Sequence, residues 1–218
     1  MEKKFKRISL KDIADKVGVS TALVSYVLNG QEKEKRVGAE VAKRIREVAE
    51  ELNYTPDQIA QSLRKGSTKT IGLIVTDIAN PFFGTMARII EDEANQNKYT
   101  VILGSSDEDC EKSSILVNAL LDRRVDGFII VPADGRTDYI RSLVDKKVPL
   151  VMIDRFLPEI TTSYVVLDNY QACYRATGRL IEKGYKGIGM VAYKNSLIHM
   201  KERIRGYTEA MQDQGLQK

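Results

Sequence analysis

Two short amphipathic helices separated by a glycine turn are predicted within residues 9–29. Ser9 and Asp12 form an S-x-x-D capping box at the start of the first helix. Gly18 supplies the positive φ that a tight turn between the two helices requires. Helices that meet at about 90–120° around so short a turn are typical of a helix-turn-helix. The pattern therefore predicts that the second helix, within residues 19–29, contacts DNA.

The excess positive charge of the chain lies in the same region. The 218 residues have a formal net charge of +4. Residues 1–66 carry 14 lysines and arginines against 10 acidic residues, whereas residues 67–218 carry 20 of each. A basic module beside a neutral body is the distribution that contact with DNA phosphates requires. The length and the 43% hydrophobic fraction also predict a small module followed by at least one larger domain.

A third helix is predicted from about Ala39 to Leu52 and would close a three-helix module over residues 1–54. Its apolar residues at helical spacing are Val41, Ile45, Val48, Ala49 and Leu52. The turn before it, residues 31–36, is highly charged, so we do not expect it to be ordered. A shorter helix, capped by Thr55, is predicted within residues 55–66. Because isolated helices below about 12 residues are marginal in water, this segment is either an ordinary linker or a helix that needs a partner.

Four near-continuous apolar runs indicate a different architecture in the rest of the chain. They are residues 70–76, 100–104, 127–131 and 150–153, and helical patterns alternate with them. Strands without polar alternation are buried on both faces, so the runs predict a parallel sheet with helices on both sides. Ligands of such sheets bind outside the carboxyl ends of the strands.

Mostly polar residues follow the predicted carboxyl ends of these four strands. They are Asp77 and Asn80, Ser106 and Asp107, Pro132 and Asp134, and Asp154 and Arg155. A rim rich in carboxylates and amides suits a small molecule that carries hydroxyl or amine groups. Each aspartate taken alone is better explained by turn chemistry, because Asp side chains commonly cap their own backbone after a strand.

A second lobe of the α/β domain is predicted to follow the first lobe, which covers residues 67–160. Its segments are a strand at 164–167, a helix at 170–182, a strand at 188–192 and a helix at about 200–212. So few elements cannot bury both faces of a sheet. We therefore expect residues 161–218 to form an incomplete second lobe of a truncated chain.

Several classes of protein have no matching signal in the sequence. Cys110 and Cys173 are far apart and have no metal-ligand spacing, so reduced cysteines and no metal or other cofactor are expected. An enzyme on an open sheet is the less favoured alternative, because no nucleophile elbow, GxGxxG or P-loop occurs and His199 is the only histidine. A solute-binding protein is the other alternative, but it predicts an export signal. Without that signal or an 18-residue apolar run, a cytoplasmic protein with no membrane partner is expected.

Motifs of one known family occur along nearly the whole chain. They include Ile13-Ala14, Gly18-Val19-Ser20, Val27-Leu28-Asn29-Gly30, Leu52-Asn53-Tyr54, Asn80-Pro81-Phe82-Phe83, Arg124-Val125-Asp126-Gly127 and Arg203-Ile204-Arg205-Gly206-Tyr207. Together they resemble the lactose-repressor (LacI/GalR) family of bacterial transcription regulators. The resemblance implies a homodimeric repressor that binds a palindromic DNA operator. It also implies a periplasmic-binding-protein-like (type I) effector domain that binds a sugar or a related small molecule.

The resemblance also implies roles for individual residues in the DNA-binding part. Base readout is expected of Thr21, Ala22 and Tyr26, phosphate contact of Ser20, Ser25 and Asn29, and minor-groove contact by a hinge helix of Ala60 and Leu63. Thr, Ala and Tyr offer no bidentate hydrogen-bonding group, so the operator sequence is not predictable from them. With the resemblance, residues 55–66 are interpreted as that hinge helix rather than as a linker.

The expected effector contacts lie at the carboxyl edge of the sheet and in the second lobe. By resemblance they are Asp77, Asn80, Phe82, Asp107, Asp154, Arg155 and Arg203. An aromatic ring stacks on the face of a sugar or base, while carboxylates and arginines bind hydroxyl groups.

Overall fold

The described part of the protein forms two compact units. The structure, a computed structural model, describes residues 8–55, 66–193 and 197–216. The units divide at Gln61 and Ser62 and are considered one at a time. The predicted hinge helix, with Ala60 and Leu63, falls on residues 56–65 and so lies outside the described residues.

The amino-terminal unit contains the predicted helix-turn-helix. Its helices are α1 (Leu10–Val17), α2 (Thr21–Leu28) and α3 (Ala39–Glu51). Both halves of the capping box form: Ser9 Oγ accepts a hydrogen bond from the Asp12 amide at 3.3 Å, and the Asp12 carboxylate accepts one from the Ser9 amide at 2.8 Å. Gly18 has a φ of 79° and ends α1 in the left-handed conformation. The three predicted helices are therefore confirmed.

One side of each of these helices forms the core of the unit. The buried residues are Ile13, Ala14, Val24, Val27, Ala42, Ile45, Val48 and Ala49. The prediction that Val41 belongs to this core was wrong, because its side chain is 37% exposed. Ala42 is buried instead, since it lies three and seven residues before Ile45 and Ala49, on the face of α3 that meets the other two helices.

The charged turn between α2 and α3 is ordered, contrary to the expectation from its composition. The Lys35 amide donates to the Gln31 carbonyl at 2.9 Å, and the Val37 amide donates to the Glu32 carbonyl at 2.8 Å. The Glu32 carboxylate also binds the Arg46 guanidinium of α3 at 2.5 Å. An ion pair to the next helix therefore fixes a turn whose own residues are mostly exposed.

The second unit is built on one five-stranded parallel sheet in the order β2-β1-β3-β4-β5. Its strands are β1 (Thr70–Val75), β2 (Thr100–Ser105), β3 (Gly127–Ile130), β4 (Leu150–Ile153) and β5 (Ser163–Val165). Its helices are α4 (Pro81–Gln96), α5 (Cys110–Asp122), α6 (Asp138–Asp145), α7 (Asn169–Glu182) and α8 (Ile198–Asp213). In the described residues no helix is long and apolar enough to cross a membrane.

Both faces of this sheet are covered, as the apolar runs predict. Ile74 and Ile130 belong to the cluster that packs against α5 and α6, whereas Leu73 and Val75 belong to a separate cluster with Phe83 of α4. Neighbouring residues of one strand thus enter different cores, because side chains alternate across a pleated sheet.

Neither of the two strands predicted for the second lobe forms there. Residues 163–165 pair in parallel with β4, with Tyr164 opposite Met152, so they extend the first sheet. The prediction that this strand opens the second lobe was wrong, because β4 offered a free edge for pairing. Residues 188–192 are described but form no strand, and Val191 is fully exposed. The domain limits 1–54, 55–66, 67–160 and 161–218 stay predictions.

Helices α7 and α8 pack at unusually short range through a glycine. A Cβ on Gly206 would lie 2.3 Å from the carbonyl oxygen of Tyr170 in α7. Two tyrosine hydroxyls join the same helices, Tyr170 to Glu209 at 2.6 Å and Tyr174 to Asp213 at 2.7 Å. The hydrogen bond to Glu209 raises the pKa of Tyr170 to about 12. Only a residue without a side chain fits this crossing.

We expect Gly206→Ala to destabilise the second unit by about 1–3 kcal/mol, because α8 must move away from α7 to relieve the overlap. Thermal unfolding followed by circular dichroism measures this loss. Gly178→Ala is the matched control: Gly178 also lies inside a helix, but a Cβ there meets nothing within 4 Å. The control should be neutral or stabilising. Equal loss of stability in both variants would contradict the packing argument.

Candidate nucleic-acid interface and effector cavity

The second helix of the helix-turn-helix presents its predicted base-reading residues at the surface. Thr21 and Ala22 are exposed in the first turn of α2, and Tyr26 is partly exposed one turn later. The Lys35 ammonium lies 5.9 Å from the centre of the Tyr26 ring, so the ordered turn contacts the same face. The inner side of α2 is held by Val24 and Val27, which are buried. The three side chains are therefore displayed by a fixed helix.

Of the predicted phosphate-contacting residues, Ser20 and Asn29 lie at the two ends of α2 and Ser25 lies inside the helix. Ser20 Oγ caps the helix by accepting a hydrogen bond from the Leu23 amide at 3.2 Å. Asn29 Nδ2 donates to the Ser25 carbonyl at 2.6 Å and to Ser25 Oγ at 3.2 Å. A hydroxyl that accepts one hydrogen bond still has its own proton to donate. Both serines thus keep a donor of the kind that fixes DNA-binding proteins on the phosphate backbone.

Three of the predicted effector contacts are engaged in local turn chemistry. Asp77 Oδ1 accepts a hydrogen bond from the Ala79 amide at 2.8 Å, and Asn80 Oδ1 caps α4 through the Phe82 amide at 3.0 Å. Asp107 forms an ion pair with Lys112. Hydrogen bonds from Lys112 and then Ser105 hold the pKa of Asp107 below its ordinary value. Local turn chemistry therefore explains the contacts that these three side chains make.

Arg155 joins the carboxyl ends of three strands. Its guanidinium, 7% exposed, donates to both carboxylate oxygens of Glu108 at 2.8 and 2.9 Å. It also donates to the Pro132 carbonyl at 3.3 Å and to Asp154 at 3.4 Å. Glu108 follows β2, Pro132 follows β3 and Asp154 follows β4. A bidentate arginine–carboxylate pair of this kind fixes geometry as well as charge.

A cavity of about 250 Å³ opens beside Arg155. It is lined by Asp154, Arg155, Phe156, Val166, Leu167, Asp168, Asn169, Tyr170, Ile198, His199 and Glu202. The surface that these residues expose to the cavity is mostly apolar, and several of them also carry polar groups, which is the usual character of a small-molecule site. Of the seven predicted effector residues, Asp154 and Arg155 line this cavity, whereas Asp77, Asn80, Phe82, Asp107 and Arg203 do not.

Arg203 does not line the cavity, but it contacts a residue that does. Its Nε donates to Asn169 Oδ1 at 2.7 Å, and Asn169 is a lining residue that is only 6% exposed. Asn169 Nδ2 donates in turn to the Leu167 carbonyl at 3.0 Å. Arg203, the residue of the second lobe that is predicted to contact the effector, therefore fixes the orientation of the Asn169 side-chain amide in this structure.

His199 contributes a buried ring to the cavity. The residue is 8% exposed, and no described residue gives its Nδ1 atom a hydrogen-bond partner. Burial lowers the pKa of His199, and the charge of Arg155 acts in the same direction while that of Asp154 opposes it. The imidazole is thus neutral at pH 7, and its Nδ1 atom is buried in the cavity wall.

Sequence reasoning missed Glu108 as the carboxylate partner of Arg155 and Asn169 as a cavity residue, whereas His199 was expected to be a cleft or surface residue rather than a catalytic base. Glu108 is next to a predicted residue, so its position after β2 could have revealed it. Asn169 and His199 come from helices whose packing against the sheet edge is not readable from spacing. In the described ranges no group of three or more His, Cys, Asp or Glu side chains could hold a metal ion, and both cysteines are free.

Family profiles match both units. Residues 9–57 match the profile described as bacterial regulatory proteins, lacI family. Residues 68–218, more than half of the chain, match periplasmic binding proteins and sugar binding domain of LacI family. The chain belongs to the LacI family of bacterial regulatory proteins. The predicted fold class, a helix-turn-helix module followed by a periplasmic-binding-protein-like α/β domain, is confirmed.

Named relatives of this LacI-family chain are regulators. Catabolite control protein A of Staphylococcus aureus is 34% identical over 96% of this chain and 63% of that protein. The HTH-type transcriptional repressor PurR of Actinobacillus pleuropneumoniae is 30% identical over 95% of this chain and 61% of that protein. The chain thus spans somewhat less than two thirds of the length of these relatives.

Solved structures share the fold. The Lac repressor dimer bound to operator and the anti-inducer ONPF is 22% identical, with a TM-score of 0.83 over 97% of this chain and 64% of that chain. The complex of the transcriptional regulator CelR with cellobiose is 26% identical, with a TM-score of 0.62 over 97% of this chain and 63% of that chain.

We expect Glu108→Ala to lower the free energy of unfolding of the second unit by about 1–3 kcal/mol, because it leaves the buried Arg155 charge with fewer partners. Urea unfolding measures the loss. Glu91→Ala, at an exposed carboxylate on α4, is the control and should change stability by less than about 0.5 kcal/mol. A Glu108 variant as stable as the control would show that Arg155 does not need its carboxylate partner.

The stability of the chain should fall more steeply with acidification than that of a His199→Asn variant. In the unfolded state histidine titrates near its ordinary pKa of about 6.5, whereas the folded pKa of His199 is lower. The unfolded state therefore binds more protons below that pH, and stability is lost as pH falls. Urea midpoints at pH 7.5 and 5.5 measure the difference, and His199 is the only histidine of the chain. Parallel losses in the two proteins would contradict the lowered pKa.

Proposed function

We propose that this LacI-family chain is a sequence-specific DNA-binding transcription regulator, a repressor, controlled by a small-molecule effector. The observation that carries the proposal is the presence in one chain of two parts. One is a capped, exposed recognition helix, and the other is an α/β unit with a cavity at the carboxyl edge of its sheet. The names of the relatives, catabolite control protein A and the repressor PurR, support the same function.

On the DNA side, α2 enters the major groove of a palindromic operator. Thr21, Ala22 and Tyr26 read bases, and their surface position on a helix with a buried inner side supports this role. Ser20 and Asn29 contact phosphates from the ends of the helix, and Ser25 contacts them from within it. Two copies of the chain supply two recognition helices, so the functional unit is a homodimer.

The connection between the units takes part in the same recognition. The resemblance to the family implies that Leu63 enters a base step in the minor groove. It also implies that Ala60 is the small residue that allows close approach. Unstacking a base step costs a few kcal/mol, which the added contacts of bent DNA offset. These two roles rest on the sequence motif alone.

On the effector side, the cavity binds a sugar or a related polyhydroxyl molecule. Carboxylate, amide and imidazole groups of Asp154, Asn169 and His199 accept and donate hydrogen bonds at its wall. Phe156 lines the same wall and stacks on Tyr164 with ring centres 4.4 Å apart, which fixes an apolar face for a sugar ring. Asp77, Asn80, Phe82 and Asp107 remain proposed contacts by resemblance.

The protein acts without a cofactor and without catalysing a reaction, and it works in the bacterial cytoplasm at the nucleoid. A regulator needs two binding events, one of DNA and one of effector, whose free energies are coupled. A solute-binding protein would use the α/β unit alone and would leave the helix-turn-helix without a purpose.

Selection of random DNA duplexes by the full chain, at stated salt, tests the proposal. We expect a palindrome to be enriched. Combined Tyr26→Ala and Leu63→Ala substitutions should lower the affinity for it about 10-fold or more, because one base contact alone is worth about 1–3 kcal/mol. Tyr185→Ala, at a tyrosine that is 58% exposed in the other unit, is the control. Enrichment of no sequence would overturn the proposed function.

A further inference from the structure

The carboxylate of Asp126 gathers hydrogen bonds from three consecutive residues. Asp126 lies directly before β3, and it accepts hydrogen bonds from Ser67 Oγ at 2.5 Å, the Thr68 amide at 2.7 Å and the Lys69 amide at 3.0 Å. The Thr68 hydroxyl lies 2.9 Å from the same carboxylate. The three donors are the residues through which the chain enters β1. One side chain therefore holds the start of the α/β unit.

The backbone around Asp126 is built for the same contact. The Asp126 amide donates to the Thr70 carbonyl at 2.7 Å, and the Thr68 hydroxyl lies 2.8 Å from the Arg124 carbonyl. Lys69 and Arg124 both have a positive φ, 52° and 57°. Residues with a side chain adopt that conformation infrequently, so neighbouring contacts must hold it in place.

The charge of Asp126 suits its position. Burial acts to raise the pKa of the Asp126 carboxyl, but hydrogen bonds from Ser67, Thr68 and Lys69 outweigh burial and hold it below its ordinary value. The carboxylate is ionised at neutral pH and accepts charge-assisted hydrogen bonds, which are stronger than neutral ones. The Arg124-Val125-Asp126-Gly127 motif thus has a physical role that neither DNA reading nor the effector cavity requires.

We propose that Asp126 is a positioning residue for operator binding, because it fixes the point at which the connection to the DNA-binding unit leaves the α/β unit. The inference rests on the proposed function. Residues 56–65 join the two units, and the anchored segment begins at Ser67. The position of the anchor determines how many residues separate the anchored segment from the DNA-binding unit that carries the recognition helix.

Chain length gives the expected consequence. Release of residues 67–69 lengthens the connection by about 10–11 Å when they are extended, at about 3.3–3.6 Å per residue. Two inserted base pairs move operator half-sites apart by about 7 Å, since ten base pairs span about 34 Å. A released chain can therefore span half-sites that the anchored chain cannot. Asp126 acts on the choice of half-site spacing rather than on the bases themselves.

The test compares affinities of the full chain for its selected palindrome and for the same palindrome with two base pairs inserted at the centre. For Asp126→Asn we expect the ratio of the two affinities to fall about 3- to 10-fold, because the connection is longer once residues 67–69 are released. Asp122→Asn is the matched control, since it removes the same charge from an exposed position at the end of α5, and its ratio should equal that of the wild type. Hydrogen exchange of the Thr68 and Lys69 amides should accelerate in Asp126→Asn alone.

A second variant keeps the test decisive if Asp126→Asn does not fold. Ser67→Ala combined with Thr68→Val removes two donors to the carboxylate and leaves Asp126 in place, and the same fall in spacing selectivity is expected. A folded variant with faster exchange and unchanged spacing selectivity would overturn the inference alone. A wild-type chain that enriches no palindrome would overturn the proposed function and, with it, this inference.

Discussion

The organisation of the α/β unit depends on the guanidinium of Arg155 at the carboxyl edge of the sheet. Its hydrogen bonds reach residues that follow β2, β3 and β4, so it connects loops from different parts of the sequence. A guanidinium so deeply buried is stable only with its partners in place. Arg155 and its partner Asp154 also line the cavity, and the pKa of His199 is shifted partly by the charge of Arg155. Fold and candidate site are thus held by one set of contacts.

Local patterns allowed most of the fold to be predicted. Helices α1, α2 and α3 follow from capping residues and apolar spacing, and four of the five strands follow from uninterrupted apolar runs that only a sheet covered on both faces can bury. Errors arose where a pattern fits two environments equally well. Val41 and Ala42 are both compatible with one helical stripe, and only the position of the other helices decides that Ala42 is buried.

Contacts between distant segments could not be read from spacing. Residues 163–165 have the composition of a strand, but pairing with β4 rather than with another lobe depends on which edge is near. The candidate site shows the same limit. Asp154 and Arg155 are predictable because they follow the end of a strand. Asp107 was predicted as an effector contact and its neighbour Glu108 was not. In the structure Asp107 pairs with Lys112, whereas Glu108 pairs with Arg155. Adjacent acidic residues in one turn thus took opposite roles, and only the three-dimensional position of Arg155 distinguishes them.

The buried ring nitrogen of His199 bears on which molecules the cavity rejects. A buried polar atom that is left without a partner raises the free energy of any complex that fails to reach it. A molecule with a matching group at that point avoids this penalty, whereas a close analogue that lacks the group retains it in full. Discrimination between two sugars that differ by one hydroxyl can therefore come from a contact that is missing in the wrong complex.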